Sequence, residues 1–187
     1  MKTPKKKIKI MISMIKNIMT IAFISISFFG FSQKKELRSA QKLLDQSFFN
    51  EALDVLSGID NLIPNSDKKI QAQYYYLLGW ASKEDSKYND AIKFLRKSIE
   101  LDQLEKYSEN SLILINNVEI DLVNSAVEDN KNNDFLNGAK KLYDAYQISP
   151  SNKSNINYLY FSASSYVNGQ DYDNCLLYTS PSPRDSG

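Results

Sequence analysis

Apolar and polar positions alternate with a helical period through most of the chain, most clearly over Tyr75–Asp102. An apolar run ends in Leu77-Leu78-Gly79, a polar break follows at Asp85–Lys87, and a second run starts at Tyr88. Nine positions separate Gly79 from Tyr88, and Ala91, Leu95 and Ile99 then follow at intervals of three, four and four. This spacing predicts two antiparallel helices, with a small residue where their backbones approach and a tyrosine closing the turn. The closest approach is expected at Gly79 against Ala91.

The same design precedes and follows this stretch. Leu37, Ala40, Leu43 and Leu44 share one helical face, and Ala52, Leu53, Leu56 and Ile59 share another, with Phe49 opening the second run. Gly58 weakens that second helix, and Pro64 stands where no helix continues. Phe135 and Tyr172 repeat the turn aromatic, the latter after Leu159, Ala163 and Tyr166. Phe49 to Tyr88 is 39 residues and Tyr88 to Phe135 is 47, so the third unit must house extra chain. Leu114, Val118, Leu122 and Ala126, spaced every four residues, predict one lengthened helix there; a short extra helix over Gln103–Glu109 is the alternative. Gly138 stands in place of alanine, at a cost of roughly 1 kcal/mol in helix propensity but with close packing preserved.

Leu78, Gly79, Tyr88, Ala91 and Leu95, with the ending Glu100-Leu101-Asp102, resemble the signature of the tetratricopeptide repeat, a 34-residue helix–turn–helix unit. Ala145-Tyr146-Gln147-Ile148-Ser149-Pro150 resembles its closing phrase. The resemblance implies an all-α fold, antiparallel helix pairs stacked as a tetratricopeptide-like α-solenoid, about three and a half repeats over 33–174. About seven helices and no sheet are expected. It also implies an inner, concave surface lined by first-helix residues. In the second unit these are Gln73, Tyr76, Trp80, Lys83 and Glu84, and in the fourth they include Tyr160, Ser164 and Asn168. Tyr76 and Trp80, four apart, share a helix face. On this reading Tyr76, Trp80 and Tyr160 offer rigid aromatic area and Lys83 fixes a carboxylate or other polar group of a partner. The alternative is that Trp80 packs against the first or third unit.

Charge and composition divide the chain further. Residues 1–32 carry six lysines and no acid ahead of an apolar stretch, Ile18–Phe31, and small residues before Gln33. This is the pattern of a secretory signal peptide, and fourteen apolar residues make about 21 Å of helix, short for a membrane span of ~30 Å. Export to the periplasm or cell envelope of a Gram-negative bacterium is expected, with membrane contact only through an uncleaved leader. The body has 16 basic and 21 acidic residues, which argues against nucleic acid as a partner. The eleven residues Cys175–Asp185 match the translation of a transposase-type sequencing adaptor. The tail 175–187 is therefore read as non-native and the natural protein as continuing beyond it, so Cys175 carries no chemistry. Without its covering helix the fourth unit should leave Leu159 and Tyr166 partly exposed and the protein prone to associate.

The chain has no histidine, and it has no phosphate-cradling loop, metal-spaced cluster or nucleophile with its base. The expectation is a non-enzyme without cofactor or metal. The adjacent acids Glu84/Asp85 and Glu128/Asp129 read as solvated surface, and Asn116, Asn117 and Asn130–Asn133 as polar residues of no assigned role. The favoured function is an exported scaffold binding a protein or peptide. The repeat module of a larger envelope protein and a glycan-capturing repeat protein are the other two readings.

Overall fold

The computed structural model describes residues 33–102 and 105–179; the leader over 1–32 and the tail residues 180–187 lie outside them. Eight α-helices and two 3-10 turns make up this part, with no strand among the described residues. The helices are α1 (33–45), α2 (Phe49–Ser57), α3 (Lys68–Glu84), α4 (Tyr88–Asp102), α5 (Lys106–Lys131), α6 (Phe135–Ile148), α7 (Ile156–Asn168) and α8 (Tyr172–Thr179). The 3-10 turns cover Asp60–Asn65 and Lys153–Asn155. Consecutive helices pack on one another as antiparallel pairs, and α3 also lies against α5, giving a stacked helical-repeat arrangement.

The four units share one turn in atomic detail. Ser47, Ser86, Asn133 and Gln170 all take positive φ, between 57° and 63°, two residues before Phe49, Tyr88, Phe135 and Tyr172 respectively. The next backbone N–H reaches back five residues each time: Phe48 to Leu43, Lys87 to Ser82, Asp134 to Asp129 and Asp171 to Tyr166, at 2.8–2.9 Å. The left-handed residue lets the chain reverse while these bonds satisfy the last carbonyls of the first helix. None of the four is glycine, so each reversal costs roughly 1–2 kcal/mol of backbone strain.

Small residues set the spacing within each pair. A Cβ added to Gly79 would stand 2.6 Å from Leu95 Cγ and 3.2 Å from the Leu95 amide nitrogen. The crossing point is therefore Gly79 against Leu95, one turn beyond the expected Ala91. Spacing identifies the contact face of each helix but not how far one slides along the other. At Gly138 the added Cβ would meet Asn130 Oδ1 at 2.5 Å and the Ala126 carbonyl at 3.0 Å, so glycine lets α6 close on α5.

Leu37, Leu44, Leu56, Leu77 and Leu95 are buried in one core cluster, and each fully buried leucine contributes roughly 1.5–3 kcal/mol. Ala91, Val118, Leu122, Ala145 and Ile148 form a second, and Ile115 packs against both, so the core is continuous from the first unit to the third. Buried hydroxyls tie neighbouring helices: Ser98 Oγ donates to the Ala72 carbonyl at 2.9 Å, and Ser162 Oγ to that of Ala139 at 2.8 Å.

Three further expectations need correction. α2 ends at Ser57, capped at Gly58, so buried Ile59 lies just past the helix instead of on its face. The fourth unit has a second helix, α8, packed on α7, which makes eight helices among the described residues, and Tyr166 is buried at 1% exposure. The left-handed turn at Gln170 and the Asp171 carboxylate, which accepts from the Asn174 amide at 3.2 Å, launch that helix locally. Leu159 is partly exposed as expected. Asp129 and Asn130 are not free surface: Asp129 pairs with Lys141 at 2.6 Å, and Asn130 Nδ2 donates to Ser165 Oγ at 3.0 Å, joining α5 to α7.

The extra residues of the third unit form the single long helix α5, 26 residues against 17 in α3. Asp102 starts it, its carboxylate accepting from the Tyr107 amide at 2.8 Å. No described helix is long and apolar enough to cross a membrane.

Candidate functional site

The first helices α1, α3 and α5 stand side by side because the short turns return each pair to the same face. Lys83–Asp121 (2.9 Å) ties α3 to α5, and an exposed pair between Lys69 and Glu105, just ahead of α5, joins them at the other end (3.3 Å), so the two helices run parallel. A cleft of about 390 Å³ opens across the three helices, lined by Arg38 and Gln41 of α1, Gln73 and Tyr76 of α3, and Tyr107 and Asn110 of α5.

Tyr76 is the hub. Its ring lies 6.1 Å from that of Trp80 and 5.8 Å from that of Tyr107, both tilted. Such spacing is within the range where aromatic pairs attract beyond simple burial. Tyr76 is itself buried, at 9% exposure, and burial, then the charge of Asp45, raises its hydroxyl pKa. Trp80 is half-buried against the core of the first two units, so part of its ring has the packing role that was the alternative reading. Lys106 holds its ammonium 6.0 Å from the Tyr107 ring centroid.

Lys83 is placed differently from expectation. Its side chain is only 16% exposed and is held by Asp121 at 2.9 Å and Glu84 at 3.4 Å. Burial lowers its pKa, but the Asp121 hydrogen bond and the charges of both acids outweigh that and leave it above the ordinary lysine value. Lys83 is thus a tie between α3 and α5, already neutralised from within the chain. Tyr160, 70% exposed on α7, touches Phe161 edge-on at 5.6 Å. No ring contact among the described residues joins it to Tyr76 or Trp80.

Sequence reasoning missed Tyr107 and Arg38. Tyr107 belongs to the first turn of α5, whose start the apolar pattern left open. Arg38 follows a core leucine in the first unit, and only the neighbouring helices show that it faces the cleft. A larger depression, about 1190 Å³, lies on the other face, along α2, α4 and α6. Among the described residues no group of three or more His, Cys, Asp or Glu is placed to hold a metal ion. No protein-family model matches the chain, and no curated protein matches it.

Proposed function

We propose that the chain is an exported binding scaffold of the tetratricopeptide type, holding a protein or peptide segment across its first-helix face. The observation that carries this reading is the joining of Tyr76, Trp80 and Tyr107 from two helices beside a cleft that a third, α1, completes with Arg38. Rigid aromatic area next to a cation is the composition of binding hot spots. The ordered turns keep the three helices in fixed relation, so little entropy is lost on binding. Arg38, with no ion pair or hydrogen bond to another described residue, takes the role of anchoring a partner's carboxylate that Lys83 cannot fill while bound to Asp121.

Selection of peptides from a random displayed library on the immobilised protein tests this. Selected peptides should lose at least tenfold in affinity against Arg38→Ala and Tyr107→Ala, with helical content unchanged. Equal binding by both variants would remove the first-helix face as the site.

A second reading rests on the exposed Tyr160–Phe161 pair, which offers an edge-on aromatic platform of the kind that stacks on sugar rings. Titration with soluble oligosaccharides, read at Tyr160→Ala, separates it from the first.

A further inference from the structure

The opposite face of the stack carries the depression of about 1190 Å³, and none of its features enters the proposal for the first-helix face. α4 forms its floor, with α2 at one end and α6 at the other. Tyr75 of α3 stacks on Phe94 of α4, ring centroids 6.3 Å apart and planes 21° from parallel. Asp144 of α6 lines both this cleft and a smaller pocket alongside, which it shares with Tyr88 and Asn89.

Asp144 is half-buried, and no hydrogen bond or ion pair from another described residue reaches its carboxylate. Four cations line the two pockets: Lys93 holds its ammonium 6.0 Å from the Phe94 ring centroid, and the other three bond to other groups. Lys141 serves Asp129 and Ser125, Arg96 donates to the Ile148 carbonyl at 2.8 Å, and Lys97 pairs with Glu100 at 2.9 Å. Desolvation raises the carboxyl above its ordinary value, which is the signature of a charge lacking a counter-ion. Both carboxylate oxygens are free for the two-pronged bond that a planar guanidinium makes, and the Tyr88 ring lines the same pocket. The volume, about 1190 Å³, exceeds what one side chain fills, and the Phe94–Tyr75 surface lies further along the floor.

We infer that this cleft is a second binding site, taking a peptide segment whose arginine enters beside Asp144 while a neighbouring aromatic or aliphatic side chain lies on Phe94 and Tyr75. The probe is the capped dipeptide acetyl-Phe-Arg-amide, added to the full ¹⁵N-labelled chain and followed by amide chemical shifts. Saturable shifts are expected at Asn89, Ile92, Asp144 and Gln147. Replacing arginine by citrulline in the probe, or Asp144→Asn in the protein, should each weaken binding at least tenfold. The Asn variant keeps the shape of the side chain, so its folded spectrum makes a loss of binding interpretable. Absence of saturable shifts, equal affinity for the citrulline probe, or undiminished binding by Asp144→Asn would overturn the inference. Shifts confined to Gln73 and Tyr107 would overturn it too, while favouring the first-helix face.

Discussion

Individual residues carry both the strain and the fit of this fold. Ser86 holds positive φ at a helix end where glycine has no steric penalty. Ser86→Gly should therefore stabilise the protein by about 0.5–1 kcal/mol, offset partly by glycine's greater freedom when unfolded. Chemical denaturation checks this, and a lower midpoint would contradict the turn geometry. Gly79 is the converse case: Gly79→Ala drives a Cβ into Leu95 and its backbone, and should cost ~1–3 kcal/mol. An unchanged melting temperature would mean the helices do not cross there. Asp144 shows a third effect. Its folded pKa is raised, so the charged form costs stability above that pKa and protonation relieves the cost as pH falls through it. Asp144→Asn should accordingly melt higher than the parent at pH 7, with the difference closing toward pH 3. The small residues and turn aromatics were legible in the sequence because their spacing repeats. The left-handed residues were not, since Ser, Ser, Asn and Gln share no chemistry that marks a reversal. Tyr107 was equally hidden, because a ring's neighbours across helices depend on axial register.

Among the elements, α5 decides how the units sit together. Its first part runs beside α3 as far as Asp121, and its last turn reaches α7 through Asn130. One helix thus serves the second unit along one half and the fourth along the other. That lets the spacing from Tyr88 to Phe135 reach 47 residues without breaking the stack. The length of α5 could be read from its four-residue apolar spacing, but its double role depends on charged residues that periodicity ignores. The Lys83–Asp121 pair tests the register. Lys83 has its folded pKa raised above the unfolded value of 10.5, so its contribution is present below that pH and is lost as pH rises through the folded value. Asp121→Asn should cost about 1 kcal/mol at pH 7, in the range of a partly exposed pair, and the deficit should shrink above pH ~10.5. Thermal melts of both proteins across that window check the sign.

At the scale of the whole molecule, the stack presents two unlike faces. The first helices bring aromatic rings and Arg38 to a small cleft, and the second helices frame the larger cleft around Phe94 and Asp144. The repeat pattern placed Tyr76 and Trp80 on one first-helix face but gave neither Arg38 nor Tyr107 beside them. It gave no hint of the second, which arises from the space between α2 and α6 over α4. The first-helix face is tested most directly by fluorescence, since Trp80 is the chain's single tryptophan and lies against Tyr76. A library-selected peptide titrated into the protein should shift or quench that emission saturably. Trp80→Ala, with its helical content retained, should bind the same peptide at least ~2 kcal/mol more weakly by calorimetry. Tight binding of the peptide with Trp80 emission unchanged, and undiminished in Trp80→Ala, would contradict a binding face built on the first helices.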